Sequence, residues 1–137
     1  MAISDKTKQL FADHGANQHI FALATASKTG IPNVVPIGFL WVANDDEVWV
    51  IDNYLNKTLA NIRENPVAAV YAMGGESGKE TVQLKGKCVY ETEGADYEAA
   101  VAMAHKINPG FPAKGLVKIR ISCAFDTTPG PNAGKKL

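Results

Sequence analysis

The chain has few cysteines, no net charge and no long hydrophobic run, and each of these absences excludes a class of protein. Cys88 and Cys123 are the only two cysteines. Without a Cys-x-x-Cys spacing, we expect buried thiols rather than a disulfide framework or a zinc site. The 14 basic and 14 acidic side chains cancel, so no overall field attracts nucleic acid or an anionic membrane. No apolar stretch reaches the roughly 20 residues that cross a bilayer. We therefore expect neither nucleic acid nor membrane as a partner.

The N-terminal segment also lacks the features of a signal peptide. Residues 1–6 read MAISDK, and no apolar run follows them. A secretory signal needs a charged start followed by roughly 7–15 apolar residues. We therefore expect a cytoplasmic protein.

Recognisable catalytic and metal-binding patterns are scarce as well. His14, His19 and His105 lie in three separate segments without metal-ligand spacing, so we expect isolated surface or half-buried histidines. The glycine-rich residues 74–79 lack the spacing of a phosphate loop, and a strand pattern follows them where a helix is required. There is no Gly-x-Ser-x-Gly elbow and no pair of carboxylates placed for hydrolysis. We therefore assign no catalytic and no metal-ligating residue.

What the chain does contain is a series of strand-length apolar or alternating runs, joined by short turns and interrupted by three helical segments. At 137 residues, 46% of them hydrophobic, it is most simply one domain spanning residues 1–137, with residues 129–137 as a loop tail. The predicted order is α-β-β-β-α-β-β-α-β, and hairpin-length links make the sheet mainly antiparallel. The fold class is therefore α+β, a six-stranded barrel with short flanking helices. The predicted strands cover residues 20–25, 33–42, 47–52, 67–73, 82–91 and 117–126.

The first three of these strands are apolar on both faces, which indicates that the outer face of the sheet is also covered. Pro36 cannot donate to a strand ladder, so an edge or a bulge is expected there. The aromatic side chains of this region fit core packing, ring stacking on a ligand or a subunit interface; they are Phe39, Trp41, Trp49 and Tyr54.

A candidate anion site follows these strands. Asn56, Lys57 and Thr58 open a short helix, where free backbone N–H groups and the helix dipole favour a phosphate beside a lysine and a hydroxyl. The alternative is an ordinary solvated helix start, with Asn56 as the cap and Lys57 in water. A phosphate site without a nucleophile or base constellation fits a cofactor that carries its own chemistry.

The segment 30–66 and the order of elements resemble the pyridoxamine 5′-phosphate oxidase-like family of FMN-binding split barrels. The resemblance extends over residues 20–125. It rests on a Gly-x-Pro turn, a proline in the next strand, a polar pair at the end of the following strand, a basic residue opening the helix and Asn-Pro closing it. In this chain those positions are Gly30, Pro32, Pro36, Asp52, Asn53, Lys57, Asn65 and Pro66.

The resemblance implies a split barrel that binds FMN at the interface of a homodimer. Lys57 and Thr58 would bind the phosphate, and the strand residues would contact the isoalloxazine. Thr81 or Gln83 would approach the ring or the ribityl chain, from the same subunit or from its partner. The implied cofactor-binding residues are Val34, Val35, Pro36, Ile37, Gly38, Ile51, Asp52, Asn53, Lys57, Thr58, Thr81 and Gln83.

Two departures from the family pattern bear on function. Asp52 places a carboxylate where a hydroxyl is common, and it would oppose anion binding unless it points away. Residues 120–137 lack the Arg/His cluster that binds substrate phosphate in the true oxidases, so we expect no oxidation of pyridoxamine 5′-phosphate.

The resemblance leaves several functions open. The first is an FMN-dependent oxidoreductase that passes electrons from a reduced nicotinamide or similar donor to a small acceptor. The alternatives are a non-enzymatic FMN storage or electron-transfer protein, a deazaflavin-binding relative that would use Lys79, Lys85 and Lys87, and an interaction module that has lost its flavin.

Overall fold

The computed structural model describes residues 2–137 as one curled antiparallel sheet with three helices. The elements, in chain order, are α1 (Asp5–Ala16), β1 (Phe21–Ala26), β2 (Pro32–Ile37), β3 (Leu40–Val42), β4 (Glu47–Asp52), α2 (Lys57–Glu64), β5 (Val67–Gly74), β6 (Glu80–Glu91), α3 (Ala95–Ile107) and β7 (Gly115–Asp126).

The order of strands across the sheet is β2-β1-β5-β6-β7-β4-β3, and every pairing is antiparallel. β2 and β3 lie at opposite ends of this order, although only Gly38 and Phe39 separate them in the sequence. The sheet must therefore curl until its two edges approach each other, which is how a barrel avoids open edges. The predicted α+β split barrel is confirmed.

The strand count differs from the prediction. The predicted strand 33–42 is divided into β2 and β3, which makes seven strands instead of six. The division follows from barrel closure, because the chain leaves one edge of the sheet at Ile37 and joins the other edge at Leu40. The proline at position 36 lies on β2, which is an edge strand, as expected.

The sheet is covered on both faces at β4 and β7, as the sequence predicted for the strand of residues 47–52, whereas Val34 on the outer face of β2 is 65% exposed. Inward-facing side chains such as Leu23, Val50 and Ile119 are fully buried inside the curl. A second cluster lies on the outer face of β4 and β7, where Ile51 and Leu116 pack under α3. Successive side chains of β4 therefore lie alternately inside the curl and in the cluster under α3.

The C-terminal tail does not remain an isolated loop. It turns back along the second half of β7, where Leu137 N donates to Ala124 O at 2.8 Å and Asp126 N donates to Lys135 O at 2.9 Å. β4 pairs only with residues 115–120 of β7, so the tail satisfies backbone groups that β4 leaves free. It therefore lies against the end of β7, with an isolated bridge between Phe125 and Lys136.

Two side-chain placements correct the sequence expectations. His14 is 2% exposed; its Nδ1 accepts a hydrogen bond from Met73 N at 3.0 Å, and burial lowers its pKa. It is a packed core histidine and not a surface one. Cys88 is buried as predicted, but Cys123 is partly exposed. A bulge between Lys85 and Gly86 shifts the register and pairs Cys123 with Lys85.

Candidate functional site

A cavity of about 340 Å³ lies between the end of β2, the end of β4 and the start of α2. This volume is within the roughly 300–1,000 Å³ typical of small-molecule sites. The structure brings most of the predicted cofactor residues together here: Val35, Pro36, Ile37, Gly38, Ile51, Asn53, Lys57 and Thr58. The cavity is also lined by four residues that are not among the implied cofactor-binding residues: Phe39, Tyr54, Leu55 and Asn56.

One end of the cavity is polar because α2 begins there. Asn56 precedes the helix but makes no side-chain cap hydrogen bond, and the first backbone N–H groups of a helix have no partner within it. Lys57 is exposed, while Thr58 is only 1% exposed. The cavity thus ends in a cation, a buried hydroxyl and helix N–H groups, which together favour an anion.

The other end of the cavity is apolar and aromatic. Ile37 and Ile51 are both buried, and Phe39 packs on Trp41 with ring centroids 4.6 Å apart. Trp41 in turn meets Trp49 edge-on at 5.9 Å. These rings support the cavity wall from the second cluster under α3. Tyr54, by contrast, is 78% exposed at the rim.

Asp52 does not line the cavity. Side chains alternate along β4, so Asp52 points into the barrel while Ile51 and Asn53 face the cavity. Its carboxylate is fully buried and accepts hydrogen bonds from Tyr90 OH at 2.6 Å and from Leu55 N at 2.9 Å. Asp52 is therefore separated from the cavity within one subunit, and its contact with a cofactor stays a prediction.

The Tyr90 phenol keeps its proton and can donate it in a hydrogen bond to the Asp52 carboxylate. Burial raises the pKa of the Tyr90 phenol, and the hydrogen bond to Asp52 and the charge of that carboxylate raise it further. The guanidinium of Arg63 lies 5.5 Å from the centroid of the Tyr90 ring. Tyr90 thus contacts both Asp52 on β4 and Arg63 on α2.

The loop of residues 53–56 is tied to the rest of the fold at several points. Besides the bond from Leu55 N to Asp52, Asn53 Oδ1 accepts a hydrogen bond from Ala113 N at 3.0 Å. Lys114 N donates to Asp52 O at 2.8 Å. The residues that form one wall of the cavity are therefore held by the segment just before β7.

A family model described as pyridoxamine 5′-phosphate oxidase matches residues 4–127. The chain belongs to this family. Its members bind flavins, which agrees with the polar and apolar ends of the cavity. An uncharacterised protein of Methanocaldococcus jannaschii is 36% identical over 123 residues, covering 88% of this chain and 80% of that protein.

Solved structures also share the fold of this family member. HupZ of Group A Streptococcus has a TM-score of 0.78 at 27% identity, over 96% of this chain and 99% of its own. An FMN-binding protein from Syntrophomonas wolfei has a TM-score of 0.71 at 15% identity, over 88% and 85% of the two chains. An F420 reductase has a TM-score of 0.66 at 15% identity, over 89% and 98%. The last two likenesses show the fold alone.

Besides Asp52, three predicted cofactor residues of this family member lie away from the cavity within one subunit. Val34 projects from the outer face of β2 and is 65% exposed. Gln83 and Thr81 lie on β6, paired with Tyr71 and Met73 of β5. Thr81 Oγ1 accepts a hydrogen bond from Thr127 Oγ1 at 2.8 Å. Their roles stay predictions that depend on a second subunit.

Among residues 2–137, no group of three or more His, Cys, Asp or Glu side chains is placed to hold a metal ion. No helix in the same range is both long and apolar enough to cross a membrane. The cavity between β2, β4 and α2 is therefore the best candidate for a binding site, because it combines an anion-binding end with an apolar wall.

Proposed function

We propose that this protein binds FMN in the cavity between β2, β4 and α2, and that it is an oxidoreductase. The observation that supports the proposal most is the division of one cavity into a cationic helix start and an apolar wall. FMN has the matching division into a phosphate and an isoalloxazine. When bound, the flavin supplies the hydride and electron chemistry.

The residues of this chain have distinct parts in that proposal. Lys57, the Thr58 hydroxyl and the α2 N–H groups would bind the phosphate, while Ile37 and Ile51 would exclude water from one side of the ring. Lys57 and Tyr54 are the only ionisable side chains that line the cavity within residues 2–137. The protein's contribution is thus binding and orientation, with no side chain assigned to proton transfer.

The choice between an enzyme and a carrier is open to direct measurement. The holoprotein is mixed with NADH or NADPH and a small acceptor, and the nicotinamide absorbance is followed. Steady oxidation supports the oxidoreductase. A flavin that dithionite reduces, but neither nicotinamide does, supports the storage or electron-transfer alternative. The deazaflavin alternative has less support, because Lys79, Lys85 and Lys87 do not line the cavity.

Replacement of Lys57 by alanine is expected to weaken FMN binding by about 1.5–3 kcal/mol, the scale of a charge-assisted hydrogen bond. The side chain is exposed, so folding should be unaffected. Titration of FMN fluorescence measures the affinity, and riboflavin, which lacks the phosphate, should bind both proteins equally. Lys79→Ala, in the turn between β5 and β6, is the control. Unchanged FMN affinity in Lys57→Ala would remove the phosphate assignment.

We also propose a homodimer with the flavin at its interface. The outer face of β2, β1 and β5 carries small or apolar side chains in one row, since Val34 pairs with Ala24 and Ala24 with Ala69. Ala69 pairs in turn with Lys85 of β6. A second copy on this flat row would bring its own β6, with Thr81 and Gln83, near the first copy's cavity.

Sedimentation velocity at micromolar concentration is expected to show a dimer, because the outer row has no cover within one subunit. Ala24→Glu should shift the protein to monomer, since a carboxylate buried between Val34 and Ala69 would have no cation opposite it and would oppose association. Ala99→Glu, at an exposed position of α3, should leave the dimer intact. A monomeric wild-type protein would rule out this interface.

A further inference from the structure

Four polar side chains form a hydrogen-bonded cluster between the end of the barrel and α2. Asn33 Nδ2 donates to Thr58 Oγ1 at 3.0 Å and to Thr25 Oγ1 at 3.2 Å. Asn61 Nδ2 donates to the same Thr25 oxygen at 3.0 Å. Thr25 and Asn33 occupy inward positions of β1 and β2, where the other inward side chains are apolar. A polar cluster at such positions needs a reason beyond core packing.

The donors and acceptors in this cluster determine where hydrogen atoms lie. Asn33 uses both N–H groups of its amide, one on each threonine. Thr25 accepts two N–H bonds, from Asn33 and from Asn61, which fills both lone pairs of its hydroxyl. Thr58 therefore receives a hydrogen bond from Asn33 and cannot donate its own hydrogen to that amide nitrogen. The Thr58 O–H hydrogen remains available to another acceptor.

We infer that Asn33 is a positioning residue, which holds the buried Thr58 hydroxyl as a donor to the phosphate of the flavin. Thr58 is 1% exposed and lines the cavity, so its hydrogen can reach an acceptor there. An anion accepts hydrogen bonds and donates none, so a hydroxyl that already accepts from Asn33 and keeps its own hydrogen for the cavity favours an anion over a neutral group. The inference rests on the proposed FMN site and specifies how the chain distinguishes FMN from riboflavin.

The test compares the affinities of FMN and riboflavin by fluorescence quenching, in wild-type protein, Asn33→Ala, Thr58→Val and the double variant. Each single variant is expected to lower FMN affinity about tenfold, the scale of one hydrogen bond to a charged group. Riboflavin affinity should change less than about twofold. Because Asn33 acts through Thr58, the double variant should bind FMN no more weakly than Thr58→Val alone.

Asn33→Asp is a second variant, in which the new side chain has nearly the same shape as asparagine, so a change in binding is not caused by a lost side chain. In Asn33→Asp, a carboxylate oxygen faces Thr58 Oγ1 and accepts its hydrogen, so the donor is withdrawn from the phosphate. FMN affinity should then fall about 10- to 100-fold, with riboflavin again little changed. Asn65→Ala is the matched control, because Asn65 also ties α2 to the sheet, through Ala26 O at 3.3 Å, but has no contact with Thr58.

The outcomes separate this inference from the proposed function. Wild-type protein that binds neither flavin would overturn the proposed function, and the inference with it. Wild-type protein that prefers FMN, with Asn33→Ala or Asn33→Asp weakening both flavins equally, would overturn the inference alone. Additive losses in the double variant would also overturn it, since Asn33 would then act independently of Thr58.

Discussion

Replacement of Asp52 by alanine is expected to lower the free energy of unfolding by about 3–5 kcal/mol, because two half-buried donors lose their acceptor and a cavity is left. The donors are Tyr90 OH and Leu55 N, at 2.6 and 2.9 Å from the carboxylate. The side chain is fully buried, so water cannot easily replace it. Urea denaturation, monitored by tryptophan fluorescence, measures the change.

The same variant should also weaken FMN, although Asp52 does not line the cavity. Its bond to Leu55 N holds the loop of residues 53–56, which forms one cavity wall. Asp52→Asn keeps an acceptor for Leu55 and should cost less than half as much stability. Tyr90→Phe, which leaves the carboxylate and the loop bond in place, should destabilise the fold but spare FMN affinity. A stable Asp52→Ala protein with unchanged FMN binding would contradict this account of the loop.

Replacement of Gly86 by alanine should be the other severe change, with an expected loss of about 3–4 kcal/mol from overpacking. A Cβ added at Gly86 would lie 2.0 Å from Arg120 O and 2.6 Å from Arg120 C. Both are backbone atoms of the neighbouring strand, so no side-chain rotation can relieve the clash. β6 and β7 would have to separate at the bulge, where the longest strand pair of the sheet is joined.

Gly15→Ala is the matched control for this effect. Gly15 lies in α1, and a Cβ there would meet no atom within 4 Å. Alanine favours a helix over glycine by roughly 0.5–1 kcal/mol, so this variant should be neutral or slightly more stable. Thermal unfolding of the two variants under one condition gives the comparison. A Gly86→Ala protein as stable as Gly15→Ala would show that the two strands can move apart at little cost.

The parts of the fold that could be predicted from the sequence are those with local signals. Short turns and apolar runs identified the strands, and the helical pattern after the third predicted strand placed Lys57 and Thr58 at the start of a helix. Those residues do meet in one cavity. The local signals were sufficient because this cavity is built largely from one stretch of chain, so few long-range contacts had to be guessed.

The errors arose where the structure depends on the direction of a side chain or on the pairing of strands that are distant in the sequence. Asp52 was taken as a cavity residue, but within one subunit strand alternation turns it into the barrel, toward a tyrosine 38 positions away in the sequence. The division of the second predicted strand depends on closure of the sheet, which no local pattern records. Asn33 was passed over, although a polar residue in phase with the inward apolar positions of β2 was a visible signal.

The strand order has a consequence for how the protein is made in the cell. The cavity is lined by residues 35–58, so its chain leaves the ribosome early. Yet β4 is joined to the sheet through β7, whose residues are synthesised more than 50 positions later. The two walls can therefore meet only when the last strand has been added. We expect a nascent chain that stops before β7 to be unable to bind the proposed flavin, so that binding would require completed synthesis.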